Sequence, residues 1–365
     1  ADDGSNGEEL WRAGNTPGSA ALLKDIFPGS SDSAPQELTL FGGRVYFIAD
    51  DGSHGVELWR TDGTTGGTTL FADIQSGASS GSPAQLTAAD GRLFFTADDG
   101  TNGVELWATD GASGSAALVK DIAGGSASAN PDRLTPIGDK VYFTADDGTN
   151  GIELWVSDGT AAGTQLVKDI NAGNGNSAPL QLTARGSRLF FSAYESGSGG
   201  ELWVTDGTAA GTHMVKDINP GINSSDPEAL AATETLLFFA AYDGVNGREL
   251  WVTDGTEAGT TLVKDIWPGS SESYIDEIVA LAGDTVAFRA TSDDATGEEL
   301  WYSDGTEAGT MLLADLNTAP YESGDPYELT VVNGRLFFGG CHYIYQCELW
   351  VLTFNNTVYL PLIIK

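Results

Sequence analysis

Cysteine, methionine, histidine and positive charge are all scarce in this chain. Its 365 residues include two cysteines, two methionines and three histidines, and only 17 lysines and arginines stand against 52 acids. Two cysteines exclude a disulfide-rich scaffold and a four-cysteine zinc site. The histidines His54, His213 and His342 fall at unrelated places and none is paired with a nucleophile. A net charge of −35 opposes nucleic acid and anionic lipid as partners. No apolar run approaches the roughly 18 residues of a spanning helix, so no membrane insertion is expected. Phosphate loops, zinc-helix motifs and nucleophile elbows are missing as well.

What the chain has in abundance is repetition. Glu-Leu-Trp recurs eight times, with tryptophans at 11, 59, 107, 155, 203, 251, 301 and 350, about every 48 residues. A fixed period of this size marks one supersecondary unit copied so that neighbours bury each other. Length alone would suggest two or three domains. The uniform repeat instead predicts one domain over residues 1–365, with 354–365 as a C-terminal strand or tail. The opening Ala1-Asp2-Asp3-Gly4 matches the interior of later repeats, which implies a removed leader or missing upstream chain.

Within residues 86–122, four short segments read as strands. Strand a is Leu86-Thr87-Ala88-Ala89, and b runs from Arg92 to Ala97 after an Asp-Gly turn suited to a tight hairpin. Strand c, Val104 to Ala108, holds the Glu-Leu-Trp, and d runs from Ala117 to Ile122. Consecutive apolar residues in b and d predict burial on both faces. Three connections are hairpin-sized, and only the Gly-, Ser- and Pro-bearing link from d to the next a is long. Four antiparallel strands repeated in this way predict an all-β fold, a β-propeller of four-stranded blades. A β-solenoid fits the 48-residue period less well. Strands a, b and d each occur seven times and c eight times, so seven blades are favoured, with eight as the alternative. In the seven-blade arrangement the surplus N-terminal c–d pair completes the last blade.

The octapeptide Glu-Leu-Trp-x-x-Asp-Gly-Thr stands at Glu57–Thr64, Glu153–Thr160, Glu201–Thr208, Glu249–Thr256 and Glu299–Thr306. It resembles the ELWxxDGT repeat family of secreted bacterial proteins. The copy at Glu105 departs at its last residue, the first copy lacks Asp-Gly-Thr, and the last reads Glu-Leu-Trp-Val-Leu-Thr-Phe. The resemblance implies propeller-like repeats and an exported or surface location, and implies no defined activity.

Three features carry candidate chemistry. The loop Asp-Asp-Gly-x-x-Gly-x-Glu places Asp50, Asp51 and Glu57, then Asp98, Asp99 and Glu105, then Asp146, Asp147 and Glu153 at hairpin ends. Such acidic, glycine-rich loops suit calcium, which takes six to eight oxygens, although Asp before Gly is also ordinary turn chemistry. The Glu beside each Trp must be paired or hydrogen-bonded if buried. Bonds to the backbone of the adjacent loop are the plain explanation, and a cation the other. Cys341 and Cys347 take the places of Asp98 and Val104 in the last b–c hairpin and should face each other, which predicts a disulfide and export. A metal pair with His342 is the alternative. The Trp series reads as blade packing rather than sugar platforms, and the linker serines read as loop filler.

The functional expectation is a non-catalytic secreted or cell-surface scaffold for binding or adhesion, recognising glycan or protein, with calcium as stabiliser. Two alternatives stand beside it. One is a structural protein that self-assembles through its C-terminal strand. The other is a glycan-active enzyme such as a lyase or hydrolase, which would need a cleft with clustered acids differing in only one or two blades.

Overall fold

The computed structural model describes residues 1–293, 297–317, 323–342 and 346–354. The described residues are all-β, and their strands form antiparallel propeller blades. Six sheets have four strands, one has three, and the N-terminal pair Leu10–Arg12 and Ala21–Lys24 forms a two-stranded sheet of its own. The blades cover residues 36–72, 84–120, 132–168, 180–216, 228–264, 278–314 and 327–353, numbered here 1 to 7. The seven expected a strands and eight expected c strands are all present. Residues 355–365 carry the expectations of an eighth d strand and of self-association, and they lie outside the described residues. No described helix is long and apolar enough to cross a membrane. By internal contacts the chain divides into two compact units, Ala1–Ala178 and Pro179–Lys365.

Blade 2 shows the module in the first unit. Its strands are Ala84–Ala89, Arg92–Asp98, Val104–Thr109 and Ala117–Lys120, paired in the order a-b-c-d. Strand b is buried along nearly its whole length, as expected. Strand d is not: only Val119 of its four residues is buried, because d is an edge strand with one covered face. It also stops at Lys120, where Asp121 accepts bonds from the N–H groups of Gly124 and Gly125 and turns the chain.

The indoles pack between neighbours. Trp107 of blade 2 joins Tyr46, Ile48 and Leu58 of blade 1 in one cluster, and Trp155 of blade 3 joins Phe94 and Leu106 of blade 2. In the second unit, Trp251 packs with Phe190 and Leu202, and Trp301 with Phe238 and Leu250. Burial of an aromatic of this size is worth several kcal/mol against alanine. Lys120 and Lys216 reinforce the arrangement. Each reaches from its d strand to a threonine carbonyl of the next blade, Thr164 or Thr260, and lies over that blade's Trp ring.

Strand a adds a second inter-blade tie. A register shift at its second residue puts Glu37, Gln85, Arg133, Gln181, Ala229 and Glu328 at positive φ. From there Glu37 accepts the N–H of Leu86, and Gln85 that of Leu134. Blade 6 alone among the seven pairs a with b without a shift, Ile278 to Ala280 against Phe288 to Val286. There Glu277, at the position equivalent to Glu37 but just before the shorter strand a, accepts the N–H of Leu329.

Candidate functional site

The Asp-Asp-Gly loops are turns held by their own aspartates. Asp50 Oδ1 accepts the N–H of Gly52, Asp51 Oδ1 those of Ser53 and His54, and Asp51 Oδ2 lies 2.8 Å from His54 Nδ1. Asp98 and Asp99 bind Gly100, Thr101 and Asn102 in the same way, as Asp146 and Asp147 bind Gly148, Thr149 and Asn150. For Asp99 and Asp147, burial works upward but these bonds win and hold both below the usual carboxylate value. The glutamates are not gathered with them. No group of three or more His, Cys, Asp or Glu side chains among the described residues is placed to share a metal ion.

Glu57, Glu105, Glu153, Glu201, Glu249 and Glu299 are fully buried and clamp the linker that leaves their own blade. Glu153 accepts the N–H of Ile170 at 3.1 Å, Asn171 at 3.4 Å and Ser177 at 3.0 Å, and the Ser177 hydroxyl at 2.5 Å. Glu201 repeats this with Ile218, Asn219 and both groups of Ser225. The plain explanation for the recurring Glu therefore holds. One detail of the sequence reading is corrected, because Ser177, Ser225 and Ser273 are buried partners of these carboxylates, and Ser33 of the equivalent Glu9, rather than filler. Their signal was the constant 24-residue offset from Glu to Ser. Burial pushes all six carboxyls up against the pull of their donors, to about 7 for Glu201, Glu249 and Glu299.

Cys341 and Cys347 face each other across the last hairpin, as Asp98 and Val104 do in blade 2, and form a disulfide. The side chain of His342, the third ligand in the metal alternative, lies outside the described residues.

Blade 6 breaks the pattern. On strand b, the residue opposite the Leu of Glu-Leu-Trp is Ile48, Thr96, Thr144, Ser192, Ala240 or Gly339 in the other blades, and Arg289 here. Arg289 donates through Nε to Asp276 Oδ1 at 2.9 Å and through Nη2 to Asp276 Oδ2, a two-pronged pair. Its Nε is also 3.5 Å from Glu298 Oε2, and Nη1 donates to the Pro326 carbonyl. Burial would lower the guanidinium pKa, but the bond to Asp276 and the charges of Glu298, Asp276 and Glu277 raise it. Glu298, half-buried, moves upward: burial is the main cause, Asp325 and Asp276 add to it, and Arg289 opposes it. The result is a carboxyl whose pKa is raised beside a carboxylate fixed by arginine. Sequence reasoning missed this cluster, although an Arg inside an otherwise apolar or small strand b was its signal.

No protein-family model and no curated protein matches the chain. Among solved structures it is similar to a prolyl endopeptidase, at 12% identity over 87% of this chain and 48% of that one, with a TM-score of 0.48. It is also similar to a puromycin hydrolase, at 17% identity over 95% of this chain and 55% of that one, with a TM-score of 0.43. A third is the β-propeller domain of the Trilobed protease from Pyrococcus furiosus, at 9% identity over 87% and 94%, with a TM-score of 0.42. The chain spans about half the length of the prolyl endopeptidase and puromycin hydrolase chains. These identities speak to the fold alone. The class defined is an all-β protein of propeller blades. The expectation of a non-catalytic adhesion scaffold is corrected here in favour of the enzyme alternative: blade 6 holds acids clustered in one blade, as that alternative expected.

Proposed function

We propose that this chain is, or forms part of, an exported glycan-active hydrolase whose acid–base pair is Glu298 and Asp276. The single observation that carries it is the Arg289 cluster: a carboxyl raised by burial beside an arginine-fixed carboxylate, in one blade of seven. Breaking an acetal needs a proton for the leaving oxygen and a carboxylate on the water or sugar side, and divergent carboxyl environments supply both. Glu298 gives its proton to the glycosidic oxygen as the C1–O bond breaks. Asp276, held in place by Arg289, takes a proton from the water that adds to C1. Arg289 is a positioning residue, orienting Asp276 through its Nε and Nη2 N–H groups.

Export is supported by the Cys341–Cys347 disulfide, a bond that persists in oxidising compartments. The octapeptide supports a place in the ELWxxDGT repeat family. The test is release of reducing sugar from a panel of uncharged glycans by wild type, Glu298→Gln and Asp276→Asn. The expected result is a fall of about a hundredfold or more in either variant at an unchanged melting point. Wild type that cleaves no glycan, or a Glu298→Gln variant as active as wild type, ends the proposal.

A further inference from the structure

The linker that enters blade 6 differs from the others in a second way, independent of the charges. Each linker has one non-glycine residue at positive φ: Ala34, Ser82, Asn130, Ala178, Asp226, Tyr274 and Asp325, with φ between 41° and 49°. Six are small, or are Asn or Asp, which tolerate this region, whereas a bulky aromatic there is strained. Tyr274 is also 55% exposed, so burial does not compensate for the strain.

Its neighbours hold it rigidly. Ser273 before it and Ile275 after it are both buried. Ser273 bonds Glu249 through its hydroxyl and the N–H of Thr291 through its carbonyl. The same hydroxyl accepts the N–H of Trp267, whose indole meets the Tyr274 ring edge-on, centroids 6.4 Å apart at 62°. Two residues after the d-strand Asp, the other six full linkers carry Phe27, Gln75, Ala123, Asn171, Asn219 and Asn317. A Trp–Tyr pair is thus peculiar to this linker, and two residues beyond Tyr274 the same linker delivers Asp276 to Arg289.

We infer that Tyr274, braced by Trp267, is a stacking platform for a sugar ring of an uncharged glycan, adjoining the Arg289 cluster. A sugar's C–H face is apolar and slightly positive, which suits the negative face of an aromatic ring presented to solvent. The acidity of the chain, −35 overall, disfavours anionic glycans. A rigid exposed ring at a strained backbone position is the form in which a site, rather than a core, uses an aromatic.

The inference rests on the hydrolase reading for its location, and the experiment separates the two. Uncharged cello-, xylo-, malto- and chito-oligosaccharides, with short neutral peptides as a second arm, are titrated calorimetrically into wild type, Tyr274→Asn, Tyr274→Phe and Glu298→Gln. The expected result is that wild type binds an oligosaccharide and Tyr274→Phe keeps that binding. Tyr274→Asn loses about tenfold while melting at the same temperature or higher, since Asn relieves the strain. That combination of lost binding and kept or gained stability is not what a structural tyrosine would give. No binding by wild type, equal binding by Tyr274→Asn, or Tyr274-dependent binding of peptides only would each overturn it. Loss of hydrolysis in Glu298→Gln with Tyr274→Asn binding intact removes the platform alone. Tyr274-dependent binding with Glu298→Gln fully active removes the acid–base assignment alone.

Discussion

Replacing Glu201 by Gln isolates what the buried carboxylates contribute. In the wild type one Glu201 oxygen takes the N–H of Ile218 and the hydroxyl of Ser225, and the other takes the N–H groups of Asn219 and Ser225. A glutamine keeps one acceptor oxygen. Its amide nitrogen sits best beside the serine hydroxyl, which can turn to accept, leaving the Ile218 N–H unpaired at about 1–3 kcal/mol. Against this, Gln removes a buried titration. The folded pKa of Glu201 is about 7, against an ordinary 4.5. Between those values the folded state binds more protons than the unfolded one, so this contribution is full below about pH 4.5 and is lost as pH rises through 7. Integrated from pH 5 to pH 8, the wild type loses about 2–3 kcal/mol through this residue and Glu201→Gln loses none. The melting gap between the two proteins should therefore narrow by about 3 °C from pH 5 to pH 8. Scanning calorimetry at both pH values reads it directly. A gap that widens with pH would mean that the donors hold the carboxylate ionised, and would refute burial as the dominant influence.

Other expectations follow from the same geometry. Glu249 and Glu299 share the raised value, so wild-type stability should decline from pH 5.5 to 8 in calorimetric scans at constant ionic strength; a rise would contradict their burial. Cys341→Ser opens a short loop and should lower stability by about 2 kcal/mol, seen as faster amide exchange over residues 335–353; unchanged exchange would show the bond adds nothing. Turn donors already occupy the aspartates of the Asp-Asp-Gly loops, so a chelator should leave the melting point within about a degree; a fall reversed by calcium would favour the cation expectation instead. Activity, where found, should decline as pH rises past the raised pKa of Glu298, and that limb should disappear in Glu298→Gln.

The fold was legible because the repeat imposes one local solution on every copy. Two-residue turns such as Asp90-Gly91 fix strand a against b, and the constant ten-residue step from Phe95 to Glu105 and from Phe338 to Glu348 let the facing of Cys341 and Cys347 follow by counting. The limits of strand d were less legible, since Leu-Val-Lys-Asp-Ile reads as apolar whether one face or two are covered. The Glu–Ser clamp lay half in view: the Glu was conspicuous, but its partner is 24 residues away in a linker that carries other serines as well. The candidate site was hidden for the opposite reason. Periodicity draws the eye to what recurs, whereas Arg289, Tyr274 and Trp267 are departures. Their meaning depends on a register and on backbone angles that composition does not carry.

The most direct measurement is a crystal structure of the chain bearing Glu298→Gln with an uncharged oligosaccharide bound. It should show a sugar ring stacked on Tyr274 and a glycosidic oxygen within hydrogen-bond reach of residue 298. Sugar distributed over equivalent positions in several blades, or absent from blade 6, would contradict the account.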